Sequence, residues 1–469
     1  MQPGPLTTLS LALALTGCAS LTARQAPLPE VAVPAQWSAA APAASPTSLA
    51  NWWQRYDDPL LTQLVTQALQ ANTSVRSAQA ALAQARALRD VQGARLGPSV
   101  GASVSAQRSK SGDAPAGSRY QAGFDASWEP DVFGGQRAGV NAAEAEAEAS
   151  RASLADTQVS VAAEVAVAYV QLRGLQARLD IARRNLAAQQ ETLQITDWRV
   201  QAGLATSLEL SQARTNTEQT RAQIPSLETS VAQTGHALAV LTGQAPTALQ
   251  AQLAQASAVP MPAGDLVLNI PAQTLRQRPD IRIAEQQISA ALARVSQADA
   301  ARYPSFNLSG SVGLSALALS GLTSGGSVVS ALLGSVSVPL FDGGAARAQV
   351  RSQEAALEQA RVSYQAVVLN ALQEVEDALV ALRGNRERLQ RLQSASESAE
   401  QAALIANQRY SSGLVDFQTV LDTQRSLLST QDSLASTQAE LSADHVRLYK
   451  ALGGGWQPNE STQNESTPS

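Results

Sequence analysis

The chain repeats itself. Val75-Arg76-Ser77-Ala78 returns as Ile281-Arg282-Ile283-Ala284, and Pro98-Ser99-Val100 returns as Pro304-Ser305-Phe306, each pair 206 residues apart. Leu172-Arg173-Gly174 returns as Leu382-Arg383-Gly384, and Arg199 to Gly203 returns as Arg409 to Gly413, now 210 apart. A drift of four residues is one small loop insertion. A tandem duplication constrains the fold strongly, because whatever one half builds the other must build again. The halves are expected at 49–243 and 272–455, separated by a Pro-containing connector at 244–271 that shows little periodicity.

Each half predicts the same order: helix, two strands, long helix, tight turn, helix. Around 98–108, Val100, Ala102, Val104 and Ala106 alternate with Ser99, Gly101, Ser103 and Ser105, and around 119–129, Tyr120, Ala122, Phe124, Ala126 and Trp128 alternate with polar or small residues. The second half repeats the pattern at 304–315 and, less cleanly, at 328–340. Period-two runs of this length fit transmembrane strands as well as a two-sided soluble hairpin. Four strands cannot close a barrel, and open edges cannot sit in lipid, so spanning strands would require several chains to share one barrel.

The helices carry heptads. Val420, Leu427, Leu434, Leu441 and Leu448 fall seven apart, as do Leu210, Thr217, Ile224, Val231 and Leu238, and Leu172, Leu179, Leu186, Leu193 and Val200. Such seams call for helical partners. The helix from Ala138 to about Val200 would reach roughly 90 Å at the α-helical rise, and Pro225 should bend its successor. A solid coiled-coil spacer would satisfy the same seams.

Composition excludes several functions. Aromatics are 4% of 469 residues, which argues against a large aromatic-cored enzyme domain. One Cys rules out a disulfide framework, while two His and two Met leave little for a metal site, and no cofactor is expected. A net charge of -5 disfavours a nucleic-acid partner. No phosphate-binding Gly loop, zinc-type His pair or nucleophile elbow is present, so nothing supports an enzyme. His236 and His445 read as surface or helix-end residues.

Leu6 to Leu15 form a short apolar block followed by Leu15-Thr16-Gly17-Cys18. This resembles the lipobox of bacterial lipoproteins, which implies a signal peptide over 1–17 and a lipidated, palmitate-bearing Cys18. Ala19 follows, which by the same resemblance implies the outer membrane. An acyl chain tethers without spanning. Residues 18–48 are expected to be a linker, and 456–469 a disordered tail.

Further motifs then fall in fixed order: Trp52-Trp53, Asp58-Pro59, Phe133-Gly134-Gly135, Arg278-Pro279-Asp280-Ile281-Arg282, Phe341-Asp342-Gly343-Gly344, Arg409-Tyr410-x-x-Gly413 and Val420-Leu421-Asp422-x-Gln424-Arg425. Together they resemble the TolC-like outer membrane efflux proteins from about 49 to 455, most closely the lipoprotein, NodT-type branch. The resemblance implies a mainly α fold with a membrane β-barrel, in which each chain of a homotrimer gives four strands to a twelve-stranded barrel continued by a periplasmic α-helical barrel. It implies a passive efflux duct in the outer membrane, partnered by a periplasmic adaptor (membrane fusion) protein and an inner-membrane efflux transporter. It further implies a periplasmic gate at the helix turns, with Gly203 and Gly413 as turn glycines, Tyr410 bonded to Glu209, and Asp422 in a lumenal carboxylate ring that attracts cations. Asp416, Arg409 and Arg199 are further gate candidates. The competing readings are a type I secretion duct for polypeptides and a lipid-anchored coiled coil without a pore.

Overall fold

The computed structural model describes residues 28–38, 49–113, 115–263, 275 and 277–456. Cys18 and the expected signal peptide therefore lie outside the described residues, as does all of the expected tail but Trp456. The chain divides into two units, each drawing matching segments from both repeats: Ala81–Arg151 with Arg282–Ala366, and Val31–Ala80 with Ala152–Ile281 and Val367–Ser469. The elements in order are α1 (Pro59–Ala71), α2 (Thr73–Ala94), β1 (Ser99–Ser109), β2 (Gly117–Trp128), α3 (Gly135–Gln201) and α4 (Ser207–Leu241). After the short α5 (Gln250–Leu253) come α6 (Pro279–Ala300), β3 (Ser305–Ala316), β4 (Val328–Ser337), α7 (Ala345–Ser411) and α8 (Phe417–Ala451).

The first unit is built on one antiparallel sheet in the order β1-β2-β3-β4. Register puts apolar residues opposite apolar residues: Val100 faces Ala126, Ala102 faces Phe124, Phe124 faces Val312, and Phe306 faces Val336. That face is open, with Val104 86% and Leu332 78% exposed. On the other face Ser103 Oγ donates to Asp125 at 2.9 Å. The strand pattern is thus one apolar and one mostly polar face, although Val329 and Leu333 place apolar groups at alternate β4 positions. Pairing in β4 stops at Ser337, opposite Ser305, rather than continuing to 340. Pro339 has no N–H to donate, and β3 offers no residue beyond Ser305.

The repeats are stitched together at β2 and β3. Gly123 and Gly313 face each other there, and a Cβ on Gly313 would lie 2.6 Å from the Ala122 carbonyl oxygen and 2.7 Å from Gly123 Cα. Only glycine fits so close a backbone approach. Below the sheet, small residues again allow contact: Cβ atoms on Gly135 and Gly139 of α3 would each come within 3.1 Å of side chains of Ala300 and Gln297 on α6. Phe133 stacks on Tyr303 with centroids 4.9 Å apart, and Arg294 pairs with Glu146.

The second unit is helical, with its main core at the start of the repeat. Leu61, Leu64, Val65 and Ala68, spaced as one face of α1, are all fully buried. They meet Val161, Val165, Tyr169 and Leu172 of α3 and Leu238 of α4. Asp58 caps α1 through the Leu60 and Leu61 amides at 2.9 and 3.0 Å, with Pro59 at the first helical position. Its other oxygen accepts from Tyr169 Oη at 2.7 Å, and burial together with this bond pushes the phenol up to about 12. Trp52 stacks on Tyr449 with centroids 5.1 Å apart.

The segment expected as a linker is docked where it is described: Trp37 is 4% exposed, and the Ser38 amide donates to Glu376 at 3.0 Å. The connector also packs, through Leu249, Leu253 and Val259, and Arg173 and Gln176 of α3 donate to its Gln255 and Leu253 carbonyls. His445 is buried at 6% exposure, not a surface residue, because α8 is almost wholly covered in its last turns. The helix α4 continues through Pro225.

Arg278 draws these ends together. Its guanidinium donates to Asp280 at 2.7 and 3.0 Å, to Glu374 at 2.7 Å and to the Ala451 carbonyl at 2.6 Å. Burial, and then the carboxyl group of Asp280, push the nearby Asp156 carboxyl up.

Substituting Gly313 with Val should disrupt the β2–β3 seam, since neighbouring backbone must move, at a cost of at least about 1–3 kcal/mol. The thermal unfolding midpoint should fall sharply for Gly313→Val and little for Gly334→Ala, where a Cβ meets nothing.

Candidate functional site

The two helix turns are near copies. In each, the helix closes with glycine at φ 73°, Gly203 after α3 and Gly413 after α7. Gly203 donates its amide to Val200 at 2.9 Å and Leu204 to Arg199 at 2.7 Å; Gly413 donates to Tyr410 at 2.9 Å and Leu414 to Arg409 at 2.8 Å. A left-handed glycine with these back-bonds satisfies the last free carbonyls of a helix. The next helix then starts on a capping residue, Thr206 for α4 and Asp416 for α8.

Glu209 and Asp416 are thereby engaged locally. Glu209 accepts from the Thr206 amide at 2.6 Å and completes a capping box. Asp416 accepts from the Thr419 hydroxyl at 2.5 Å and its amide at 2.9 Å, and these bonds hold its carboxyl below the usual range. The expected Tyr410–Glu209 bond is not made within the chain. Tyr410 is 5% exposed, its ring packed with Phe417, Val420, Leu421, Ala213 and Ala406, and its Oη has no hydrogen-bond partner among the described residues. Glu209 is held away because its own helix start needs the carboxylate.

Arg199 is what joins the turns. Its Nη1 donates to the Tyr410 carbonyl at 2.7 Å, and its guanidinium carbon sits 4.5 Å from the Tyr410 ring centroid. The same carbonyl already closes the Gly413 turn, so the first repeat's cation caps the second repeat's turn. Arg409, the matching residue of the second repeat, is exposed. Asp422 is also exposed, on the first turns of α8, and accepts from Gln418 at 2.9 Å.

Behind the turns runs a polar stripe that the leucine heptads hide. Arg178, Asn185, Thr192 and Arg199 fall seven apart on α3, each one position before a leucine or valine of the heptad. Arg178 pairs with Asp432 at 2.7 Å, Asn185 donates to Gln431 at 2.9 Å, and Thr192 accepts from Gln424 at 2.9 Å. Asn185 and Thr192 are each 8% exposed, whereas Leu186 and Leu193 are only half-buried. The signal was available as a second seven-residue period of polar type. Among the described residues, no group of three or more His, Cys, Asp or Glu is placed to hold a metal, and no helix is long and apolar enough to cross a membrane.

A four-stranded sheet with two long helix hairpins defines a TolC-like channel subunit, and comparison with known proteins agrees. The outer membrane efflux protein family matches residues 64–244 and 270–454. The toluene efflux pump outer membrane protein TtgF of Pseudomonas putida is 32% identical over 464 residues, covering 96% of each chain. Nodulation protein T of Rhizobium leguminosarum bv. viciae is 32% identical over 430 residues, covering 91% of this chain and 89% of its own. The structure of the outer-membrane channel OprN superposes with a TM-score of 0.84 at 36% identity, covering 92% of this chain and 99% of that one. The chain belongs to the outer membrane efflux protein family. It is an outer membrane channel component of the efflux-pump type and not an enzyme.

Because the Tyr410 hydroxyl has no hydrogen-bond partner among the described residues, Tyr410→Phe should leave the stability of the turns unchanged, while Tyr410→Ala should cost about 3–5 kcal/mol through lost ring packing. Amide hydrogen exchange in the first turns of α8 would show protection near wild type for the first and a large loss for the second.

Proposed function

We propose that three copies of this chain join their sheets edge to edge, β1 of one copy against β4 of the next, into one twelve-stranded barrel. The long helices continue it as a periplasmic α-helical barrel. The assembly is the outer membrane channel of a tripartite efflux pump: a passive duct that takes small molecules from a periplasmic adaptor and an inner-membrane transporter to the exterior. The observation that carries this reading is the sheet itself. Its apolar face is exposed, β2 and β3 are paired on both sides, and the outer edges of β1 and β4 have no strand partner among the described residues. In hydrocarbon, each unsatisfied backbone group costs several kcal/mol, and only closure removes the edges.

The chain is read as a member of the lipoprotein, NodT-type branch, anchored through an acylated Cys18. The roles named for its relatives differ, toluene efflux for one and nodulation for another, which fits a duct whose cargo is chosen by its inner-membrane partner. In the assembled duct the helix turns form the periplasmic gate. Asp422, exposed and bonded only to Gln418 among the hydrogen bonds seen, is repeated by the threefold axis as a carboxylate ring that favours cations.

Native mass of the detergent-extracted particle should correspond to three chains, with an intact chain mass showing acylation at Cys18. In planar bilayers the particle should conduct, and Asp422→Ala should lower its cation selectivity, read as a reduced reversal potential in a salt gradient. A monomer released without detergent would remove the shared barrel, and an unchanged reversal potential would remove the ring.

A further inference from the structure

The two strand-to-helix junctions of the duplication are not alike. Between β2 and α3, Phe133 stacks on Tyr303 with centroids 4.9 Å apart and on Phe306 at 6.4 Å. The positions that match these three in the other repeat are Phe341, Gly97 and Val100, and Phe341 is 93% exposed. One junction therefore forms without an aromatic stack, so the stack of the other is not a requirement of the repeated fold.

Phe133 and Tyr303 line a cavity of about 450 Å³, within the range of roughly 300–1,000 Å³ that small-molecule sites occupy. Its wall includes the side chains of Glu129 and Asp131 and no Lys, Arg or His. Asp131 is already engaged: it accepts from the Gln136 amide at 3.1 Å, the Arg137 amide at 2.8 Å and Arg137 Nε at 3.1 Å. Glu129 is exposed, and its carboxylate has no partner among the described residues. Its carbonyl accepts from Gln136 Nε2 at 3.3 Å, which holds the residue against the start of α3. An unpaired carboxylate beside aromatic faces suits an organic cation, because the carboxylate supplies charge and acceptors while a ring face attracts an ammonium within about 6 Å.

Position narrows the cation further. The cavity lies where β2 ends, β3 begins and β4 ends, so it borders one end of the sheet's exposed apolar face. Trp128, 39% exposed, and Tyr303, 48% exposed, stand at that end, and such aromatics mark headgroup depth at a membrane interface. We propose that this cavity takes the ammonium headgroup of an aminophospholipid, one lipid for each chain, with Glu129 binding the ammonium and the rings of Phe133 and Tyr303 flanking it. This rests on the membrane-barrel reading and adds to it a lipid class. The bound lipid spans the joint between the strand ends and α3.

The test uses full-length particles extracted in detergent, stripped of lipid and titrated in native mass spectrometry. Dioleoyl phosphatidylethanolamine should bind up to one copy per chain, about tenfold more tightly than dioleoyl phosphatidylglycerol, the factor that one charge-assisted hydrogen bond supports. Glu129→Gln should abolish that preference, while Glu354→Gln, which removes an exposed carboxylate of α7, should keep it. The trimeric mass of the Glu129→Gln particle shows in the same spectrum that the variant assembles. Equal affinity for the two lipids would overturn the site, as would a Glu129→Gln particle that still prefers phosphatidylethanolamine. Displacement of the lipid by an equal concentration of free phosphoethanolamine would overturn it too, since a soluble cation would then be the occupant. Each of these leaves the barrel standing. A native mass other than three chains, or a particle released without detergent, would sink the barrel reading and the lipid site with it.

Discussion

A β-strand with an unpaired edge is costly, and the sheet of this chain is arranged so that few edges are left open. Within the sheet, β2 and β3 pair on both sides. The two central strands come from different repeats, so the duplication is joined in the sheet by the Gly123–Gly313 approach as well as by the connector. Had each repeat paired only within itself, the chain would present four open edges in place of two. Fusing two hairpins into one sheet halves the number of open edges.

The helical part solves a different problem, which is to hold very long helices in one register. Leucine heptads supply attraction but tolerate sliding by a turn, since one leucine fits a hole much as the next does. The polar pairs from Arg178 to Thr192 do not tolerate it, because a one-turn slip would part the buried Gln424 from Thr192 and Asn185 from Gln431. The last member of the stripe, Arg199, is also the residue that locks the two turns together. Register along α3 and closure at its tip are therefore set by one periodic feature.

Much of this was legible in the sequence. The four strands stand out because a sheet with unlike faces writes a period of two, and each helix hairpin because glycine marks its turn. The end of β4 was misplaced since apolar alternation continues through Val338 and Leu340, while pairing depends on where β3 begins. The leucine seam was legible and the polar stripe beside it was not, because polar residues on a helix ordinarily mark its solvated face. Glu209 illustrates a further limit. The family resemblance places a carboxylate near a tyrosine, but the nearest amide claims it first, since Glu209 closes the capping box begun by Thr206. The burial of His445 escaped notice for a related reason, since it depends on how completely α8 is enclosed.

The Arg278 cluster carries a consequence of its own. Arg278, at the entrance of the second repeat, holds the carbonyl that ends α8, and three residues beyond Leu452 the amide of Gly455 bonds the carbonyl of Leu49, where the first repeat begins. The beginning and the end of the duplicated region are thus in direct contact, and the connector joins its two middle ends by packing against the same unit. Topologically the pair of repeats is a loop cut open at one point. The break in that loop falls between Leu49 and Gly455, which a backbone hydrogen bond holds together, so the outer ends of the duplicated region are tied without a peptide bond.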